Sequence, residues 1–168
     1  MTRQRTLGLA ALAMLAAAPL AIGGCLNSSA AGIDPAKQAL PDYGPVSPEE
    51  ALAVIQACRD DPDFVLLDIR TPAEVEAGHL PGAENLDFYA PAFVDELAAA
   101  DRDKVYLIYC RTANRTGQAW TLMSGLGFEK VYDLAGGITL WNELGYPICT
   151  GAVGRGHTCA VAGYPGID

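Results

Sequence analysis

Lys104-Val-Tyr-Leu-Ile-Tyr-Cys110-Arg-Thr-Ala-Asn-Arg115-Thr116 is the stretch from which the fold is read. An apolar, β-rich run ends on a cysteine. A tight polar segment with two arginines follows, and then a helical pattern runs from about Ala113 to Leu126. A strand, a short loop and a helix in that order put Cys110 at the carboxyl end of the strand, facing the amino end of the helix. In open α/β sheets that is where ligands bind. Backbone N–H groups and the helix dipole favour negative charge there, and such surroundings favour the thiolate, the form of cysteine that attacks. Cys110 reads as a nucleophile.

Outward from this centre the chain alternates strands with helices. Ser47-Pro48-Glu49-Glu50 is a helix start with an N-cap serine, a proline in the first turn and a glutamate to complete a capping box. Leu52, Ile55 and Cys58 follow at helical spacing and read as core. Phe64-Val-Leu-Leu67 suits a buried parallel strand closed by Asp68-Ile-Arg70. Thr71-Pro72-Ala73-Glu74 repeats the capping box for a short helix ending near Gly78. A short strand is expected around Glu84–Leu86. Ala90–Ala100 reads as a helix with Phe93, Val94 and Leu97 inward. The helix after the loop turns Trp120, Leu122, Met123 and Leu126 to the core. Lys130–Leu134 is a further strand, and Gly136-Gly137 leads into a last helix through Leu144, stopped by Gly145-Tyr-Pro147. This alternation predicts an α/β fold with a mainly parallel sheet.

Composition bounds the rest. The 168 residues suit one domain with short extensions, and a formal charge of −9 argues against binding nucleic acid. Two histidines and no Cys-x-x-Cys pair make a metal site a poor expectation. At the amino terminus, Thr2–Arg5 is basic and Leu7–Ile22 is apolar but shorter than the roughly 20 residues of a membrane span. This reads as an export signal. Ile22-Gly23-Gly24-Cys25 resembles a bacterial lipoprotein cleavage site. That resemblance implies lipidation at Cys25, attachment to a membrane facing the periplasm, and, with Leu26 next, the outer membrane. The expected plan is a signal over 1–24, a tether over 25–42, a domain over 43–148 and a Gly-rich tail over 149–168. In an exported chain Cys149 and Cys159 are expected to form a disulfide.

Three motifs in order then resemble the rhodanese family of sulfurtransferases: Leu66–Glu74 with Gly78-His79-Leu-Pro-Gly82-Ala83, Cys110–Thr116, and Leu134-Ala-Gly136-Gly137 with Trp141 and Gly145-Tyr-Pro147. The resemblance covers about residues 46–148. It implies a single rhodanese-like domain with a five-stranded, mainly parallel sheet and helices on both faces. It also implies a sulfurtransferase that moves a sulfane sulfur from a donor such as thiosulfate to a thiol through a persulfide on Cys110. The loop Arg111, Thr112, Ala113, Asn114, Arg115 and Thr116 would bind the substrate. The arginines would grip an anionic donor, and Thr116 would hydrogen-bond the cysteine or the loop. Asp68 and Arg70 would organise the surroundings, Glu74 would cap its helix, and His79 would order the loop before Pro81. No cofactor is implied, and a monomer is expected.

Four residues separate Cys110 from Arg115, the loop size the resemblance associates with sulfur. Related phosphatases have one residue more, which argues against a phosphatase or arsenate reductase. Ala113 stands where many members have glycine, so a positive φ there would strain the loop. That departure motivates the alternative of a non-catalytic module that senses sulfur species or docks a protein.

Overall fold

A computed structural model describes residues 40–153 and the backbone of a strand at 158–159. The candidate signal, Cys25 and most of the tether and tail lie outside the described residues. Within them the order is β1 (Gly44–Val46), α1 (Pro48–Cys58), β2 (Phe64–Asp68), α2 (Pro72–Ala77), β3 (Glu84–Asn85), α3 (Phe93–Ala99), β4 (Val105–Tyr109), α4 (Asn114–Leu126), β5 (Val131–Leu134) and α5 (Gly137–Glu143). A hairpin of β6 (Cys149–Thr150) and β7 (Thr158–Cys159) follows.

The first five strands form one parallel sheet in the order β1-β5-β4-β2-β3. β4 is central and every one of its residues is buried, as its unbroken apolar run requires. α1 and α5 cover one face, where Val54, Ile55, Leu134 and Trp141 pack together. α3 and α4 cover the other, with Phe93, Leu97, Ile108 and Met123. Trp141 is fully buried and its indole N–H donates to the Pro147 carbonyl at 2.8 Å. Ahead of β1 the Tyr43 ring packs on Tyr132 at 4.9 Å, the Tyr132 hydroxyl donates to the Pro41 carbonyl at 3.1 Å, and Leu40 packs against the core.

Both capping boxes form. The Ser47 hydroxyl accepts from the Glu50 N–H, and the Ser47 N–H donates to the Glu50 carboxylate at 2.8 Å. Thr71 and Glu74 repeat this at the start of α2.

Several expectations need correction. β1 escapes a pattern reading because Gly44 and Pro45 fill two of its three positions, and register with β5 alone makes it a strand. α3 begins at Phe93 rather than Ala90, and Val94 is half exposed because only Phe93 and Leu97 of this short helix reach the core. Leu122 likewise points outward from α4, leaving Met123 as its most buried large side chain. Cys58 is buried as expected but is also disulfide-bonded. Cys149 is disulfide-bonded too, and its Cα lies directly opposite that of Cys159 across the β6–β7 hairpin. The side chain of Cys159 lies outside the described residues. Among the described residues Cys110 is the free cysteine, and no helix is long and apolar enough to cross a membrane.

Candidate active site

Cys110 is the first residue past β4, and the chain turns from it directly into α4. Its backbone is held from the far side of the sheet edge. The Cys110 carbonyl accepts from the Ile138 N–H at 3.0 Å, and the Arg111 carbonyl from Thr139 at 3.1 Å. The first turn of α5 thus uses two of its otherwise unmatched donors on the loop. A trans peptide points its N–H opposite to its C=O. The N–H groups of Arg111 and Thr112 therefore face away from α5, and among the described residues neither is spent within the chain. Gly137 makes this close approach possible. At φ +58 it takes a left-handed conformation, and a Cβ there would lie 2.4 Å from the Cys110 carbonyl oxygen and 2.6 Å from that of Arg111.

Ala113 is the one non-glycine residue with positive φ among those described, at φ 67 and ψ 8. It is also the N-cap of α4 and offers no side-chain cap. The Thr116 hydroxyl donates to the Ala113 carbonyl at 3.1 Å and so braces the turn from below. Thr116 is fully buried. Neither Ala113 nor Thr116 lines the cavity, and Thr116 serves the loop through this hydrogen bond.

That cavity, about 450 Å³, opens above the loop and is lined by Glu74, Tyr89, Cys110, Arg111, Thr112, Asn114 and Arg115. Cys110 lies at its floor, 1 % exposed. Arg111 is exposed. Arg115 is buried, and its guanidinium forms a two-pronged ion pair with Glu74, at 2.8 Å and 2.7 Å. The guanidinium expected to grip an anionic donor is thus engaged by Glu74 while it lines the cavity. Two cations at the start of α4 oppose its dipole, and the carboxylate answers one of them. Tyr89 covers a face of the same guanidinium, with its ring centroid 5.5 Å from Cζ. Hydrogen bonds from Arg115, then from Thr71, hold the Glu74 carboxyl down at about 2, with burial opposing them.

Asp68 and Arg70 sit behind the cavity rather than in it. The Arg70 guanidinium grips the Asp68 carboxylate at 2.5 and 2.9 Å and donates to the Gly78 carbonyl at 2.6 Å. It also donates to the Glu74 carbonyl at 3.3 Å. Both residues are buried, and Arg70 lies over the Tyr109 ring at 5.6 Å. The pair pins α2 to the sheet edge and so fixes where Glu74 stands. His79 is buried, with Nδ1 3.0 Å from the Val75 carbonyl, and its backbone pairs with Cys149 at 2.7 and 2.8 Å.

Sequence reasoning gives Glu74 only a capping role, and it looks to residues 87–91 for pocket shape without singling out Tyr89. Capping alone accounts for Glu74 in the sequence, and its ion-pair partner lies 41 residues on. Tyr89 lies in the segment after β3 with no periodic signal, set by an Asp87 turn in which the Tyr89 N–H donates to the side chain at 2.9 Å. Asp133, on β5, is missed. Among the described residues one of its oxygens is buried without a partner, and burial raises its carboxyl above the usual range while the Thr116 hydroxyl opposes the shift. Among the described residues no cluster of three or more metal-ligating side chains occurs.

Comparison with known proteins agrees with this arrangement. Residues 47–144 match the model of the rhodanese-like domain. A sulfurtransferase of Allochromatium vinosum is 40 % identical over 94 residues, covering 55 % of this chain and 85 % of its own. The thiosulfate sulfurtransferase GlpE of Pseudomonas entomophila is 36 % identical over 106 residues, covering 63 % and 90 %. Among solved structures, a rhodanese-related protein from Thermoplasma volcanium superposes with a TM-score of 0.51 at 27 % identity. It covers 63 % of this chain and 97 % of its own. The Alr3790 protein from Anabaena gives 0.53 at 25 %, covering 64 % and 83 %.

Proposed function

Because the chain belongs to the rhodanese-like domain family, we propose that it is a sulfurtransferase that carries sulfane sulfur as a persulfide on Cys110. The observation that carries this reading is a free cysteine on the floor of a small polar cavity, between a strand end and a helix start. The sulfurtransferase relatives support the reaction class.

In the first half-reaction the Cys110 thiolate attacks the outer sulfur of a donor. With thiosulfate, the Sγ–S bond forms, the S–S bond to the sulfonate breaks, and sulfite leaves with the bonding pair. The persulfide anion then rests on the loop. The unspent Arg111 and Thr112 N–H groups would stabilise it, as successive backbone donors do in other anion concavities. In the second half-reaction an acceptor thiolate or cyanide attacks the outer sulfur, and Cys110 leaves as the thiolate. Sulfur moves at constant oxidation level, so the chain needs no external reductant for turnover.

The test mixes the protein with thiosulfate and cyanide and measures thiocyanate. Wild type forms product and Cys110→Ser forms none. Equal product from both refutes the reading.

The reading extends to location. An export signal with lipid attachment at Cys25, supported by the basic and apolar amino-terminal pattern, would hold the domain at a membrane on the periplasmic side. Radiolabelled palmitate incorporated by wild type and lost in Cys25→Ala is the expected result.

A further inference from the structure

The cavity contains two arginines of opposite standing. Arg111 is exposed and, among the described residues, makes no ion pair. Arg115 presents a guanidinium edge to Glu74, and the carboxylate occupies that edge with both oxygens. An oxyanion donor would use the same edge for two-pronged recognition. Tyr89 covers a face of the same group, and Arg115 retains only 9 % exposure. Glu74 is fixed in turn: its Oε2 accepts from the Thr71 N–H at 3.1 Å and hydroxyl at 3.0 Å, and its backbone carbonyl is held by Arg70. The charges of Glu74 and Arg115 cancel, and Arg111 balances the attacking thiolate. Its side chains therefore offer no surplus positive charge to a donor that arrives with two negative charges.

We propose that Glu74 is a specificity-determining residue. By closing Arg115 into an ion pair, it selects singly charged organic persulfides, R–S–S⁻, over doubly charged thiosulfate as sulfur donors. The inference rests on the sulfurtransferase reading and names its substrate class. The step balances as before: the Cys110 thiolate bonds to the outer sulfur of R–S–S⁻, the S–S bond breaks, and R–S⁻ leaves with the pair.

The experiment measures thiocyanate formation with cyanide as acceptor and either cysteine persulfide or thiosulfate as donor. Wild type, Glu74→Gln and the double variant Glu74→Gln/Arg115→Gln are compared. Glutamine retains the side-chain oxygen that the capping box needs. In wild type, kcat/KM is higher for cysteine persulfide. In Glu74→Gln the thiosulfate KM falls by about tenfold, the size expected when one charge several ångströms from a dianion is removed at an exposed site. The persulfide KM changes about threefold or less. The double variant, again neutral at this position, returns the ratio of the two donors to that of wild type. A merely structural Glu74 would impair both donors alike, and the second substitution would deepen the defect; that outcome overturns the proposal. An independent readout needs no variant. The wild-type kcat/KM for thiosulfate should not fall by more than about twofold as salt rises from low to about 0.3 M, because the cavity side chains hold no surplus positive charge for salt to screen. A steep fall with salt overturns the proposal. No thiocyanate from either donor refutes the sulfurtransferase reading and this inference with it, whereas equal use of both donors by wild type refutes the inference alone.

Discussion

Replacing Gly137 by alanine tests how the active-site loop is held. The new Cβ would meet the Cys110 carbonyl oxygen at 2.4 Å and the Arg111 carbonyl carbon and oxygen at 2.6 Å. All three are backbone atoms, so no side chain can swing aside. Left-handed φ costs alanine about 1–2 kcal/mol. Relieving the overlap adds about 1–3 kcal/mol, as overpacking does elsewhere. The sum, about 2–5 kcal/mol, should lower the melting temperature by about 10–30 °C for a domain of this size. Gly145→Ala isolates the first contribution. Gly145 has φ +76, and a Cβ added there would meet nothing within 4 Å, so its variant should lose only about 1–2 kcal/mol. Thermal denaturation by circular dichroism reads both. Thiocyanate formation below the melting transition reads the site, where displacement of the Cys110 backbone by about 1 Å should cost on the order of 100-fold. If Gly137→Ala melts with Gly145→Ala and turns over within twofold of wild type, the account of α5 as the support of the loop is refuted.

Ala113→Gly removes left-handed strain, partly offset by the greater freedom of glycine in the unfolded chain, and should stabilise the domain by about 0.5 kcal/mol; a lower melting temperature would contradict it. Arg70→Met strands the buried Asp68 carboxylate and should cost about 3–5 kcal/mol in urea unfolding, with part recovered by adding Asp68→Asn. The Glu74 carboxyl lies at about 2 in the folded chain against an ordinary 4.5. Its depressed value contributes stability that is fully present above about pH 5.5 and lost as pH falls through 4.5 toward 2. Because the side chain is 31 % exposed, screening limits this to about 1–2 kcal/mol. Glu74→Gln should flatten that part of the acid-unfolding curve.

The centre of the fold is legible because β4 is buried along its whole length and so reads as a continuous apolar run that stops at a chemical residue. α2 and α1 are legible from their capping boxes, which are local in sequence. Contacts between distant segments leave no such trace. Glu74 carries the same signature whether or not Arg115 lies across from it. Tyr89 looks like any loop tyrosine until the Asp87 turn aims it at a guanidinium. β1 and the β6–β7 hairpin are two or three residues each and exist through pairing rather than propensity. Val94 and Leu122 fall on the wrong side because a helical pattern read one position too widely shifts its face. Ala113 is the informative exception. Glycine is what many relatives of the resemblance carry there, and the backbone does take positive φ at this alanine.

The shared carboxylate of Glu74 has one more consequence. α2 has six residues, too few to persist alone. The oxygen that closes its capping box also receives Arg115 from the cavity wall. Fraying of this helix and the charge state of the cavity are therefore thermodynamically linked. A ligand that draws Arg115 toward itself must loosen the α2 cap by the same free energy that opening the cap would lend to its binding. Amide hydrogen exchange along Ala73–Ala77 would register occupancy of a pocket that those amides do not line.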